Sequence, residues 1–477
     1  MPRVNITEVD LTSPGQLNIL SNVVYVPGFA RRLPASFKGK PMLFTSLSAF
    51  QQAFAEPNGD TKLLPPQIYD SNTVAYDSGY IYAHELLSLG IPVLYDAMYS
   101  YTEPETPNND ASLELLCGNG DLVAVYVKVS NDYVLSYYKP NDARLAYGVE
   151  NAQNTQKAAA FICDRLNTDE LKQKGLYNIK FISNGGYRDS STLKNSSGQP
   201  LGLNGIANLM INTAAVRGDC VAIVDHPSDR TSDTTDTSVY EWAQTIGSEN
   251  GKYGALFTPD AVYAPPCIAS PKAAVNSLVL PASFGYLLAM ANSTLNNPDW
   301  LAVAGSARGN VPYIVELINP ISETLSDGSA TTGATDKVYS NRDKVAINPI
   351  MNINPFGIII WGNRTLYDNS GKGNLTASSF LNIRNLCSNV KKTIWTAART
   401  MTFEQNGDIL WVKFKSLITP TLDQMVSGNG LAGYELKKRV AKQKATLSAV
   451  IRLYAIEAVE DFELEVQLAD DSTAIIE

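Results

Sequence analysis

Short apolar runs with no polar position inside them recur along the chain, each closed by Gly, Pro or Asp or, at 258–259, by Thr-Pro. They read VVYV at 23–26, IPVLY at 91–95, CVAIV at 220–224, ALF at 255–257 and IIIW at 358–361. A run of this length without alternation predicts a strand buried on both faces. Between the runs lie stretches with helical spacing: a short one through Phe50 and Phe54, then Gly79 to Gly90, Ala158 to Leu171, Ala207 to Val216, Trp242 to Ile246, and Val279 to Ala291. Strands alternating with helices imply a parallel sheet covered by helices, hence an α/β fold. Gly175 to Ser183 adds a further strand, and Pro41 to Ser46 another.

Two regions depart from this rhythm. From Leu113 to Tyr138 apolar and polar positions alternate on either side of Asn131-Asp132, which predicts a hairpin in a β-rich insertion. After Thr376 or Ser378, either a suitable cap, a helix carries Phe380, Ile383, Cys387, Val390 and Ile394 on one face. A second helix through Trp411, Phe414, Leu422 and Met425 is bent at Pro420, and Gly428 to Gly433 reads as a hinge-like turn. The segment Ile347 to Leu366 joins the two parts. Its run Ile358 to Trp361 is expected in the middle of the sheet, Gly362 permits a sharp turn, and Arg364 places a charge beside the core that needs a partner. Both chain ends alternate: Val4 and Ile6 against polar neighbours, and Phe462, Leu464, Val466 and Leu468 against Glu463, Glu465 and Gln467. Terminal strands with one apolar face and no hairpin return invite pairing with an exposed sheet edge.

Composition narrows the function. With 477 residues, 44% hydrophobic and 18% charged, the chain has room for two to four domains. It has no run of eighteen apolar residues, and its first residues lack an apolar signal region. Membrane insertion and secretion are therefore not expected. The five cysteines are widely separated and odd in number, which suits a reducing compartment better than a disulfide framework. A net charge of −9 gives no sign of a nucleic-acid partner. The exception is Lys437, Lys438, Arg439, Lys442 and Lys444, which read as a basic helix in an acidic chain.

Catalytic chemistry finds little support. Of the two histidines, His84 precedes Glu85 as in a zincin helix, but no histidine stands at the fourth position after it, so a satisfied helix histidine is expected. Asp219, Asp225 and His226 are placed at the end of a strand without a nucleophile elbow. GSENGKY at 247–253 has the wrong spacing for a phosphate loop. No catalytic, metal or cofactor site is expected.

The words around the central segment carry a resemblance. An I-N-P stretch, then G-I-I-I-W-G-N-R-T-L at 357–366, a long helix, F-E-x-N at 403–406, an amphipathic helix, G-N-G-L-A-G at 428–433, a basic segment and a final strand resemble the carboxy-terminal region of contractile tail sheath proteins. The family belongs to contractile-tailed bacteriophages and related injection machines. V-P-G-F-A at 26–30, P-A-S-F-G-Y at 281–286 and W-L-A-V-A-G at 300–305 resemble further words of that family, with Val303 in place of a proline. Trp361, Gly362 and Arg364 match a motif to which the resemblance gives only a structural role. It implies a subtilisin-like α/β domain without subtilisin's catalytic words, a β-rich insertion, and an α+β carboxy-terminal domain. The implied division is an arm at 1–20, a first core part at 21–110, an outer insertion at 111–174, an α/β domain at 175–345, the sheath domain at 346–460 and a second arm at 461–477. It also implies a helical homopolymer whose arms, Val4 and Ile6 at one end and Phe462, Leu464, Val466 and Leu468 at the other, enter neighbouring subunits. The basic residues from Lys437 to Lys444 would face a tail tube protein. Baseplate and tail terminator proteins would be the other partners, with no direct nucleic-acid contact, in a virion assembled in the bacterial host cytoplasm. A tailocin or other phage-like injection system is the alternative within the family, and an α/β hydrolase the alternative outside it.

Overall fold

The computed structural model describes residues 22–29, 39–54, 56–58, 62–64, 67–70, 73–98, 100–101, 110–114, 122–129, 132–140, 152–227, 236–268, 277–320, 345–370, 375–405, 407–440 and 446–458. Its centre is an eight-stranded sheet. The strands are β1 (Val24–Phe29), β2 (Met42–Phe44), β3 (Val93–Met98), β4 (Phe181–Ile182), β5 (Val221–Val224), β6 (Gly254–Thr258), β7 (Asn348–Ile353) and β8 (Gly357–Ile360), in spatial order β8-β7-β6-β5-β4-β1-β3-β2. From β3 across to β7 every pairing is parallel, and antiparallel β2 and β8 form the two edges.

Two cores explain the apolar runs. On one face Val24, Val26, Val93, Tyr95, Val221, Ile223, Ala255 and Phe257 pack against α1 (Leu47–Phe54), α2 (Ser78–Ser88) and α6 (Ala282–Thr294). On the other, Val23, Tyr25, Leu94, Met98, Ala222, Val224 and Leu256 meet α3 (Ala152–Asn167), α4 (Gly205–Arg217) and α5 (Asp236–Ile246). Successive side chains point to opposite faces and both faces are covered, so these strands are apolar almost throughout; buried Asp96 of β3 is an exception, held by the Tyr25 hydroxyl and Arg165. The expected α/β class is what forms.

Several expectations change in detail. The run Ile358 to Trp361 is not central: β8 is an edge strand, returned by a turn at 354–356 onto β7. Its apolar character persists because the backbone at Gly309 and Asn310 covers the outer edge, with the Ile360 amide donating to Gly309 O at 2.8 Å and a bridge from Asn310 to Ile359. Ile359 and Ile360 are buried, whereas Trp361 is 43% exposed. The strand expected over Gly175 to Ser183 contracts to Phe181–Ile182. Leu278–Leu280 is a strand and only then, after Pro281, does α6 begin. Residues 111–174 do not form one outer body either. Ser100–Tyr101, Asp110–Glu114, Leu122–Val129 and Asp132–Pro140 make a separate four-stranded antiparallel sheet. In contrast α3 lies on the central sheet, with Ala158, Ile162 and Leu166 fully buried.

The carboxy-terminal unit is α7 (Leu381–Thr400), α8 (Asp408–Ser427) and a hairpin of β9 (Leu431–Arg439) with β10 (Ser448–Ala455). Thr376 and Ser379 form a reciprocal capping box on the turn that leads into α7. Pro420 lies inside α8. Polar contacts dock α7 across the amino ends of the parallel strands. Lys392 Nζ donates to Ile179 O at 2.7 Å, Lys391 Nζ to Gly218 O at 3.0 Å, and Asn389 reaches Asp299, which also pairs with buried Lys180. Burial lowers Lys392 from 10.5 to about 8, against the pull of Asp219. A lysine depressed in the folded state adds stability as pH rises from the folded to the unfolded value. Wild type should therefore gain on the order of 3 kcal/mol between pH 8 and 10.5 relative to Lys392→Met. Urea unfolding of both proteins at the two pH values measures this, and an unchanged gap refutes it.

Candidate functional site

The carboxyl ends of the parallel strands come first, because open α/β sheets place ligands there, at the point where strand order reverses. Here that point lies between β1 and β4, and it is packed shut. A Cβ on Gly28 would come within 2.4 Å of the Tyr95 hydroxyl, and one on Gly79 or Gly185 within 2.2 Å of Pro27 O. Asp77 fills the remaining space, accepting from the Tyr80 amide at 2.6 Å and from the Tyr187 hydroxyl.

Beside it, the loops after β5 and β6 bring together ionisable side chains that sequence alone cannot group. Arg188 donates to Asp260 at 2.6 Å, His226 Nε2 stands 3.4 Å from the same carboxylate, and His226 Nδ1 lies 3.1 Å from Pro227 O. Asp225 accepts from the Ser283 amide at 3.0 Å and hydroxyl at 2.8 Å. Burial pushes Asp225 up. It acts on Asp260 as well, yet the Arg188 guanidinium and His226 hold that carboxyl well below the usual range. All five side chains are buried, and Ser283 gives its proton to Asp225, not to His226. The cluster ties strand ends to the start of α6 and does not arrange a nucleophile with a base. Asp219 lies at the other end of β5, paired with Arg217 at 3.1 Å, so the expected grouping of Asp219 with Asp225 and His226 does not form. His84 is satisfied on its helix by Gln51 and Glu85.

Around Gly362 and Arg364 the chain turns tightly against β7. The Asn348 side chain, which sequence reading missed, accepts from the Arg364 amide at 2.6 Å and donates to Arg364 O and Leu256 O, pinning the turn to β6 and β7. A Cβ on Gly362 would stand 2.8 Å from Asn348 Cα. The Arg364 guanidinium finds its partner in the Phe380 ring, 4.8 Å from the centroid.

The exposed chemistry is on the carboxy-terminal hairpin. Lys437, Lys438 and Arg439 are not helical: they end β9, whose alternation puts Tyr434 and Leu436 toward α7 and α8 beside Leu453 and Ile451. Glu435, Lys437 and Arg439 face outward with Val450 and Arg452 of β10, and with Lys438 they line one groove. Glu435 pairs with Lys437 at 2.9 Å and Arg452 at 3.4 Å, which leaves three cations to one carboxylate on that face. Lys438 turns back to Asp408 at the start of α8, at 2.6 Å. Lys442 and Lys444 lie outside the described residues, as do Val4, Ile6, Phe462, Leu464, Val466 and Leu468. Gly428 and Gly430 are no hinge. They let the backbone close on Trp300, whose Nε1 donates to Gly428 O at 3.1 Å, and a Cβ on Gly430 would lie 2.5 Å from that ring. Among the described residues β9 and β10 pair only with each other. Each leaves roughly half of its backbone N–H and C=O groups directed at an open edge.

No family model and no curated protein matches this chain. Solved structures do, over nearly its whole length. It is similar to a chain of the anti-feeding prophage baseplate in the contracted state, with a TM-score of 0.55 at 15% identity, covering 98% of both chains. A chain of the PVC sheath complex, an extracellular contractile injection system in the contracted state, gives 0.52 at 14%, covering 99% of this chain and 98% of that one. A chain of the six-fold symmetrised anti-feeding prophage baseplate gives 0.51 at 13%, over 98% and 99%. At such identities the likeness is one of fold, and it runs from end to end.

Proposed function

We propose that this chain is the structural protomer of a contractile sheath, polymerising helically around a tail tube and shortening to drive the tube through a target envelope. The observation that carries this reading is the carboxy-terminal sheet, whose two strands pair only with each other among the described residues, in a chain whose two ends have the pattern of strands. The end-to-end fold likeness to a chain of a contracted sheath complex supports it. A heterologous contact that does not close generates a helix, and a strand lent across it tethers neighbours while other surfaces slide. Within the particle, the helix-covered sheet takes the place of the family's subtilisin-like domain, and its role is a rigid body without chemistry. Electron microscopy of the purified protein tests the proposal: helical tubes are expected, and a monodisperse monomer at all concentrations overturns it. Baseplate and tail terminator proteins would bind the ends of the polymer. A phage-like injection particle, and not an infectious virion, is the reading that a fold shared with a chain of an extracellular contractile injection system supports. Neighbouring genes for a capsid and terminase would reverse that preference.

The tube contact follows from the same hairpin, with its members revised. Lys437, Arg439 and Arg452 form the outward cationic face, and Arg452 replaces Lys438, which is engaged by Asp408. Exposed pairs are individually weak and screened by salt, which suits a contact that must release. Exchanging these three residues for glutamate should abolish co-sedimentation with tube at low salt while leaving the thermal transition in place. Unchanged co-sedimentation refutes the contact.

A further inference from the structure

Helix α2 carries a side-chain group that the assembly does not use. Glu85 is fully buried, and among the described residues its ion-pair partner is His84, with Nδ1 at 3.1 Å from Oε1. The same oxygen accepts from the Cys267 amide at 3.0 Å, and the Ser88 hydroxyl stands 3.4 Å from Oε2. Cys267 comes from a separate turn, Pro266–Ile268. One nitrogen of His84, one oxygen of Glu85 and the Cys267 sulfur all lie within 4.8 Å of one another.

We propose that His84, Glu85 and Cys267 bind a divalent transition-metal ion of the zinc class, which staples α2 to the turn at Pro266–Ile268. Imidazole, carboxylate and thiolate are the donors that zinc takes. Nitrogen and oxygen ligands at about 2.1 Å on a tetrahedral centre stand about 3.4 Å apart, close to the 3.1 Å between Nδ1 and Oε1. The outer shell is present as well: the Gln51 amide lies 3.0 Å from His84 Nε2, where a partner fixes the ring and its tautomer. It is the Gln51 amide nitrogen that faces His84 Nε2, so metal on Nδ1 with the ring proton on Nε2 requires the Gln51 amide to turn about its last torsion and present its oxygen, while the thiol proton is released to solvent. Entry is from the side of Cys267 and Tyr313, which are only partly buried, and the Tyr313 phenol is close enough to Glu85 and Cys267 to be pushed up by burial and by both.

Titrating the full-length, metal-stripped protein with Co²⁺ tests the site. One equivalent should bind with visible ligand-field bands and a near-ultraviolet thiolate band, all displaced by Zn²⁺. Cys267→Ser, at a half-buried position, should fold and lose the thiolate band, and Glu85→Gln should weaken binding by more than about tenfold. Absence of binding, or the same thiolate band in Cys267→Ser, overturns the proposal. If Glu85→Gln does not fold, alkylation decides: Zn²⁺ should slow iodoacetamide modification of Cys267, located by peptide mapping, and an unchanged rate overturns it.

Discussion

Removing the residues after Asp461 should leave a folded protein with its thermal transition largely intact, and no sheath-like tubes should form. The open edges of β9 and β10 are the reason. A strand with Phe462, Leu464, Val466 and Leu468 on one face, added to such an edge in a neighbour, pairs its backbone and buries four apolar side chains. At roughly 1.5 to 3 kcal/mol each, these contribute on the order of 6 to 12 kcal/mol before the costs of ordering the arm and joining two subunits. That range can hold a lattice. The cores of the described residues close with α1 to α8, so the protomer is expected to keep its fold without the arm. An excess of a synthetic peptide covering 460–469 should likewise block tube growth of the intact protein. Tubes formed by the truncated chain would show that the strand is not donated, and unfolding of its monomer would show that it belongs to its own subunit.

Two excisions should have opposite outcomes. Replacing residues 100–149 by a flexible linker removes the four-stranded sheet and should leave a cooperative thermal transition and tube formation. Removing 111–174 instead should abolish the transition. It takes away α3 and the segment after it, including Ala158, Ile162, Leu166 and Leu171, all essentially without solvent exposure. Three large aliphatic side chains alone represent about 4.5 to 9 kcal/mol, comparable with the whole stability of a typical domain. Buried Arg217 would also lose the Leu171 carbonyl that it reaches at 2.6 Å, and Thr213 the Leu166 carbonyl at 3.1 Å. A soluble, cooperatively folded product of the longer excision would show that α3 is dispensable to the core. Failure of the shorter one would show that the small sheet is part of it.

The difference between those excisions reflects how much of this chain is legible in one dimension. The alternation from Leu113 to Tyr138 identified the hairpin, and the helical spacing from Ala158 identified α3. Nothing local said that one leaves the central sheet and the other returns to it. The same holds at the candidate sites. His84 and Glu85 are adjacent and visible as a pair, but Cys267 is 182 residues from Glu85, and its approach depends on how the turn before α6 crosses α2. Arg188, Asp225, Asp260 and Ser283 meet because β4, β5 and β6 end, and α6 begins, at one rim of the sheet.

By itself the sequence determined the class of fold and the kinds of elements in the central sheet and its covering helices, because two-face burial demands uninterrupted apolar runs and helices demand their own spacing. It also offered Thr376 or Ser378 as the cap, since a cap is satisfied within a few residues, and the structure takes Thr376 with Ser379. Only the tertiary structure decided where each strand sits. The run at 358–361 is equally apolar in a central strand or in an edge covered by Gly309 and Asn310, because burial and not position sets its composition. The segment Glu435 to Arg439 consists of good helix formers, and pairing with Val450 and Ile451 makes it a strand, since cross-strand contacts outweigh propensities of a few tenths of a kcal/mol. Gly428 and Gly430 look like a hinge in sequence and are a fixed point in space, because a missing Cβ serves close approach to Trp300 as well as it serves freedom.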